Sequence, residues 1–71
     1  MNRYFIIALH GPNFSGYWAE KPKLVLMDEA TRYESLKDAD DALTLVPPFA
    51  IQDPEGNDVE LIPEILVVQT S

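Results

Sequence analysis

The sequence predicts a small α+β fold: an antiparallel sheet of four to five strands with one α-helix packed on one face, in the order β-β-β-α-β-β. Three observations lead there. An apolar run near the N-terminus is rich in aromatic and β-branched residues, a serine-capped stripe of apolar residues recurs at helical spacing, and two β-prone segments flank a Pro- and Gly-bearing turn.

Tyr4, Phe5, Ile6, Ile7, Ala8 and Leu9 form the apolar run, and Gly11-Pro12-Asn13 ends it. A continuous run of that length reads as a strand covered on both faces, hence a central one. Ser15-Gly16 opens a second β-prone segment, residues 17–20, and Lys21-Pro22-Lys23 separates it from a third, residues 24–28. The loop between the first two is too short for a parallel crossover, so the strands should be antiparallel neighbours.

Ser35 is a good N-cap, and Asp38 three residues later places a carboxylate over the first-turn amides and the positive end of the helix dipole. Leu36, Ala39, Leu43 and Val46, with Ala42 beside them, form one apolar stripe that Pro47-Pro48 terminates. Lys37, Asp38, Asp40, Asp41 and Thr44 fall on the opposite surface. Beyond the helix, residues 49–52 and 58–62 flank Asp53-Pro54-Glu55-Gly56-Asn57 and predict a hairpin. Pro63 cannot donate to a ladder, so an edge or a bulge is expected there before a last strand over residues 65–69.

With 71 residues, 46% of them hydrophobic, the chain is expected to fold as one domain, residues 1–71, with one modest core. It has no cysteine, which removes disulfides and thiolate metal sites. Only six apolar residues follow Arg3 before His10, too few for a signal peptide's core or a membrane span, so a cytoplasmic location is expected. Asn13-Phe14-Ser15 matches a glycosylation acceptor, but without a secretory signal it reads as a turn.

Charge is the strongest functional signal. The formal net charge is -7, and no Lys or Arg follows Lys37, whereas Asp38, Asp40, Asp41, Asp53, Glu55, Asp58, Glu60 and Glu64 all lie beyond it. Five basic residues against twelve acidic ones argue against direct nucleic-acid binding, which requires clustered cations to displace counterions. Enzymatic chemistry is not expected: His10 stands alone, without a nucleophile-elbow pattern or a cysteine, and so small a chain has little material for a cleft holding two tuned carboxylates. The acids around the turn, Asp53, Glu55, Asn57, Asp58 and Glu60, do not follow the EF-hand spacing, because Gly56 is fourth rather than sixth from Asp53. No cofactor or dedicated metal is expected, and a cation-binding module is the third-ranked reading.

What remains is a partner that is itself basic. DNA carries one negative charge per about 1.7 Å of axis, and closely spaced carboxylates on a folded domain can offer a comparable field to the same Lys/Arg groove. The candidate acidic face comprises Asp38, Asp40 and Asp41 on the helix and Asp53, Glu55, Asp58 and Glu60 around the hairpin. The alternative is a structural or adaptor domain that pairs through its sheet edge or an aromatic loop bearing Phe14 and Trp18, its acidity serving solubility alone.

Gly16-Tyr17-Trp18, followed by Ala30-Thr31-Arg32-Tyr33-Glu34-Ser35-Leu36, Asp38-Ala39 and Ala42-Leu43, resembles a pattern in short phage proteins of unassigned role and covers residues 16–43. In length, acidity and lack of catalytic residues the chain is similar to the anti-CRISPR proteins of phages and mobile elements, a likeness of type and not of motif. That resemblance implies a monomeric, non-enzymatic inhibitor in the host bacterial cytoplasm. It would imitate DNA at a basic surface of a defence complex, with the Cas proteins of a type I CRISPR surveillance complex as the implied partner.

Overall fold

A computed structural model describes residues 2–12 and 14–70. Asn13, part of the expected turn and of the glycosylation pattern, lies outside the described residues. The elements are β1 (Asn2–Gly11), β2 (Phe14–Tyr17), a 3-10 turn (Met27–Glu29), α1 (Leu36–Leu43), β3 (Ala50–Gln52), β4 (Asp58–Glu60) and β5 (Ile62–Thr70). The class is α+β with one α-helix and antiparallel strands throughout, but the strands divide into two sheets, β2-β1-β5 and β3-β4, and follow the order β-β-α-β-β-β.

β1 is central because its apolar run can be enclosed on both pleats. Ile7 and Leu9 point into a core shared with Trp18, Ala42 and Leu61, while Ile6 and Ala8 on the other pleat are just as fully buried. β5 runs the whole length of β1, from Asn2 opposite Thr70 to His10 opposite Ile62. On the other side β2 covers only the C-terminal end of β1, pairing Ala8 with Tyr17 through Gly11 with Phe14. Beyond β2 the same edge of β1 is taken by Tyr33, whose N–H donates to the Phe5 carbonyl and whose carbonyl accepts from the Phe5 N–H, each at 2.8 Å.

The strand expected over residues 24–28 does not form. Only Val25 pairs, through reciprocal bonds with Tyr17. The four residues of β2 offer little further edge, Glu20 turns the chain with a φ of 56°, and the Leu26 carbonyl accepts from the Glu29 N–H to close the 3-10 turn. Leu24 instead drops its side chain onto Gly16, where a Cβ would lie 2.7 Å from Leu24 Cδ1 and 2.9 Å from its Cβ. That close approach explains a glycine inside a strand.

The helix starts as its cap dictates: Ser35 is extended and its hydroxyl oxygen accepts from the Asp38 N–H at 3.1 Å. It ends at Leu43, one turn before Pro47. Ala39 and Ala42 are buried against β1 and β5, whereas Leu36, placed on the apolar stripe by its spacing, is 58% exposed because it occupies the first turn. The last strand begins earlier than residues 65–69, at Ile62, and runs through Pro63. β5 is the outer strand of its sheet, where a proline nitrogen turned to the open side forfeits no ladder bond.

Candidate functional site

The helix carboxylates arise on one short element. At about 100° per residue Asp38 and Asp41 share a face three residues apart, whereas Asp40 lies about 100° round from Asp41 and nearly opposite Asp38. All three are exposed, because Ala39 and Ala42 take the inward positions. Thr44 finishes the helix by donating its hydroxyl proton to the Asp41 carbonyl at 2.7 Å.

The hairpin acids divide into two kinds. Ile51 lies opposite Val59, half-buried on the inward pleat, so Asp58 and Glu60 share the outward pleat with Gln52 and Ala50. The two carboxylates therefore extend from one face, about 7 Å apart along the strand. Glu55 is exposed in the turn. Asp53 differs: its Oδ1 accepts from the N–H groups of Glu55 at 2.9 Å and Asn57 at 2.8 Å, and its backbone N–H donates to the Asn57 carbonyl at 2.9 Å. Asp53 thus holds its own turn together, with one carboxylate oxygen committed to two turn amides.

Among the described residues none of these carboxylates forms an ion pair with Lys or Arg, and no group of three or more His, Asp or Glu side chains is close enough together to hold a metal ion. The helix packs on the β1–β5 pair, and the hairpin packs at the Gly11 end, where Leu61 and Ile51 crowd that glycine. Both acidic groups are therefore carried by the segment that covers the Ile7/Leu9 side of the sheet.

The aromatic-loop candidates separate. Trp18 is 7% exposed, packed edge-to-face on Phe49 with ring centroids 6.0 Å apart, which corrects its assignment as a contact residue: it is a core side chain. Phe14 is 40% exposed and lines a small cleft of about 220 Å³ with Pro12, Ile51, Asp53 and Pro54. The β1–β2 turn and the hairpin turn therefore meet, bringing Phe14 beside the turn acids.

One constellation escaped the sequence reading. His10 Nδ1 lies 3.2 Å from Ser15 Oγ on β2, and His10 Nε2 lies 3.0 Å from Glu64 Oε2 on β5. With the proton on Nε2, Nδ1 accepts from the Ser15 hydroxyl, and the N–H faces the carboxylate off its axis, so that contact is electrostatic and Nε2 has no hydrogen-bond partner. The three groups tie the strands of the sheet together across one pleat. The Ser15 partner was legible from the short β1–β2 turn, which fixes His10 opposite Ser15; Glu64 comes from a pairing 54 residues away in sequence, for which the chain carries no local signal.

No family model, curated protein or solved structure matches the chain. Among the described residues no helix is long and apolar enough to cross a membrane.

Proposed function

We propose that this protein is a non-enzymatic inhibitor, phage-encoded and acting in the host bacterial cytoplasm. It occupies a basic, nucleic-acid-binding surface of a defence complex and blocks access of DNA, with a type I CRISPR surveillance complex as its target. The observation that carries this reading is the set of outward carboxylates on α1 and the hairpin, Asp38, Asp40, Asp41, Glu55, Asp58 and Glu60, all exposed and none paired with Lys or Arg among the described residues. Unpaired carboxylates keep their field available to a cationic groove, where they accelerate encounter and compete with phosphates.

The test is capture from host lysate followed by challenge with duplex DNA. A partner released by DNA, and not retained by a variant carrying Asp58→Asn, Glu60→Gln, Asp40→Asn and Asp41→Asn, supports the proposal. A partner that DNA does not displace and that the neutralised variant retains overturns it.

A second reading has its own observation. β5 is an edge strand of nine residues without a charge after Glu64, with Ile62 69% and Val67 54% exposed. Long uncharged edges recruit further strands, so an adaptor that adds a partner's strand to β5 is the competing function. Under that reading Val67→Lys abolishes capture and the carboxylate substitutions leave it unchanged.

A further inference from the structure

Tyr33 takes both the N–H and the carbonyl of Phe5, and the Ile7 carbonyl accepts from the Trp18 N–H, so these two residues of β1 turn their backbone polar groups away from β5. In an antiparallel pair the residues facing such positions turn theirs away as well. Val67 lies opposite Phe5 and Ile65 opposite Ile7, and by alternation Pro63 and Gln69 follow them. β5 is an outer strand, so the N–H and carbonyl groups of Ile65, Val67 and Gln69 face out of the sheet. Among the described residues no backbone group outside the ladder bonds to them. The other edge of the sheet has no such row: β2 is four residues long, Val25 pairs with Tyr17, and Tyr33 pairs with Phe5.

We infer that the occupant of this edge is β5 of a second copy of the chain, paired antiparallel across a twofold axis at Val67. With Val67 opposite its own copy, Ile65 falls opposite Gln69 in both directions, giving three pairs that exchange two backbone bonds each. Pro63, the outward position without an N–H, lies beyond these pairs. Moving the axis to Leu66 would set Pro63 opposite Gln69 and leave the Gln69 carbonyl of each copy without a donor. The side chains fit the same register. On one face Val67, 54% exposed, meets its own copy; Ile65 makes the core contacts of that pleat, so the axis is left open. On the other face the half-buried Leu66 meets Val68 in a non-hydrogen-bonded pair, the kind that brings side chains closer.

Charge selects the same arrangement. Two chains of net charge -7 repel, so a contact between copies must keep carboxylates apart, and no charged side chain follows Glu64. The axis at Val67 sets Glu64 opposite Thr70. The two Glu64 carboxylates, three residues to either side of the axis, are then roughly 20 Å apart along the strands, well beyond the screening length of about 8 Å at physiological ionic strength. The dimer joins two sheets into one, β2-β1-β5-β5-β1-β2, and as an isologous contact it closes on itself and uses up the long open edge of each copy. It differs from the monomer that the resemblance implies, and it gives the β5 edge to the chain's own strand in place of the foreign strand of the adaptor reading.

The test is sedimentation equilibrium of the full chain from micromolar to millimolar concentration at physiological ionic strength. The expected result is a reversible rise in mean mass from the 8.0 kDa of one chain to twice that value. Val67→Lys sets like charges opposite one another, and Gln69→Pro removes an outward N–H without costing a bond inside the chain; each should weaken the dimer by about tenfold or more. Tryptophan fluorescence and circular dichroism should show both variants folded. An equimolar mixture of Val67→Lys and Val67→Glu chains should regain the doubled mass, because position 67 faces itself only across the proposed axis. A parent chain that stays monomeric at every concentration leaves the edge to a foreign strand and overturns the inference. So does a dimer that both variants leave unchanged, or a mixture that associates no more tightly than either variant alone. The variant Asp58→Asn/Glu60→Gln should dimerise at least as tightly as the parent, which separates this result from the fate of the inhibitor proposal.

Discussion

Asp53 and Asn57 close the β3–β4 turn reciprocally: the Asn57 N–H donates to the Asp53 carboxylate at 2.8 Å, and the Asp53 N–H donates to the Asn57 carbonyl at 2.9 Å. Two neighbouring acids consequently have different roles. Asp53→Ala should lower stability by about 1–2 kcal/mol, the cost of losing a side chain that satisfies two turn amides, whereas Glu60→Ala should change it by less than about 0.5 kcal/mol. Urea denaturation measures both. Partner binding should rank them in reverse, with Glu60→Ala the more damaging of the two.

Trp18 and Phe14 should separate by the same logic. Trp18→Ala empties a core position and should cost about 3–5 kcal/mol, a large share of the stability of so small a domain. Phe14→Ala, at a half-open cleft, should cost about 1 kcal/mol or less. Because Trp18 is the only tryptophan, its fluorescence reports the core directly: emission should be blue-shifted in the native chain and move to longer wavelength on unfolding.

Gly16→Ala should destabilise by about 1–3 kcal/mol, since the new methyl would meet both Cβ and Cδ1 of Leu24, and the Cβ cannot swing away without backbone movement. Adding Leu24→Ala should recover part of the loss caused by Gly16→Ala, giving a favourable coupling term in a double-mutant cycle from thermal melts. Simple additivity would show that the contact does not limit the substitution.

Tyr33 supplies the pH dependence. Burial, reinforced by the Glu20 carboxylate that accepts from its hydroxyl at 3.5 Å, raises its pKa above the ordinary tyrosine value of 10.0. A group whose folded pKa is raised adds stability that is fully present below the unfolded value and is lost as pH rises through the folded one. Unfolding free energy should therefore fall above about pH 10, and Tyr33→Phe should flatten that decline. Absorbance of tyrosinate during alkaline titration, paired with denaturation at each pH, reads both.

The parts of the fold legible in the sequence were those encoded locally. The Ser35 cap, the continuous run of β1 and the Pro-Gly chemistry of the hairpin turn each fix a conformation within a few residues, and each is found in place. The chain order went astray at residues 24–28, where β-propensity competes with the supply of a free strand edge; β2 is too short to provide one. The division into two sheets and the pairing of β5 with β1 depend on contacts across most of the chain, which local spacing does not carry. The same limit applied to the site. Outward acids on a capped helix and on the Asp58/Glu60 pleat follow from periodicity. The burial of Trp18 against Phe49 arises only once distant segments are packed, whereas the capture of turn amides by Asp53 is local.

The central claim is that exposed, unpaired carboxylates on α1 and the hairpin displace DNA from a basic surface. The most direct measurement is inhibition of duplex DNA binding by a purified type I surveillance complex, followed across a salt series for the parent chain and for the variant with Asp40, Asp41, Asp58 and Glu60 neutralised. Inhibition that weakens steeply with salt in the parent and is lost in the variant is the predicted result. Absence of inhibition by the parent, or inhibition that is flat with salt and undiminished in the variant, would contradict it.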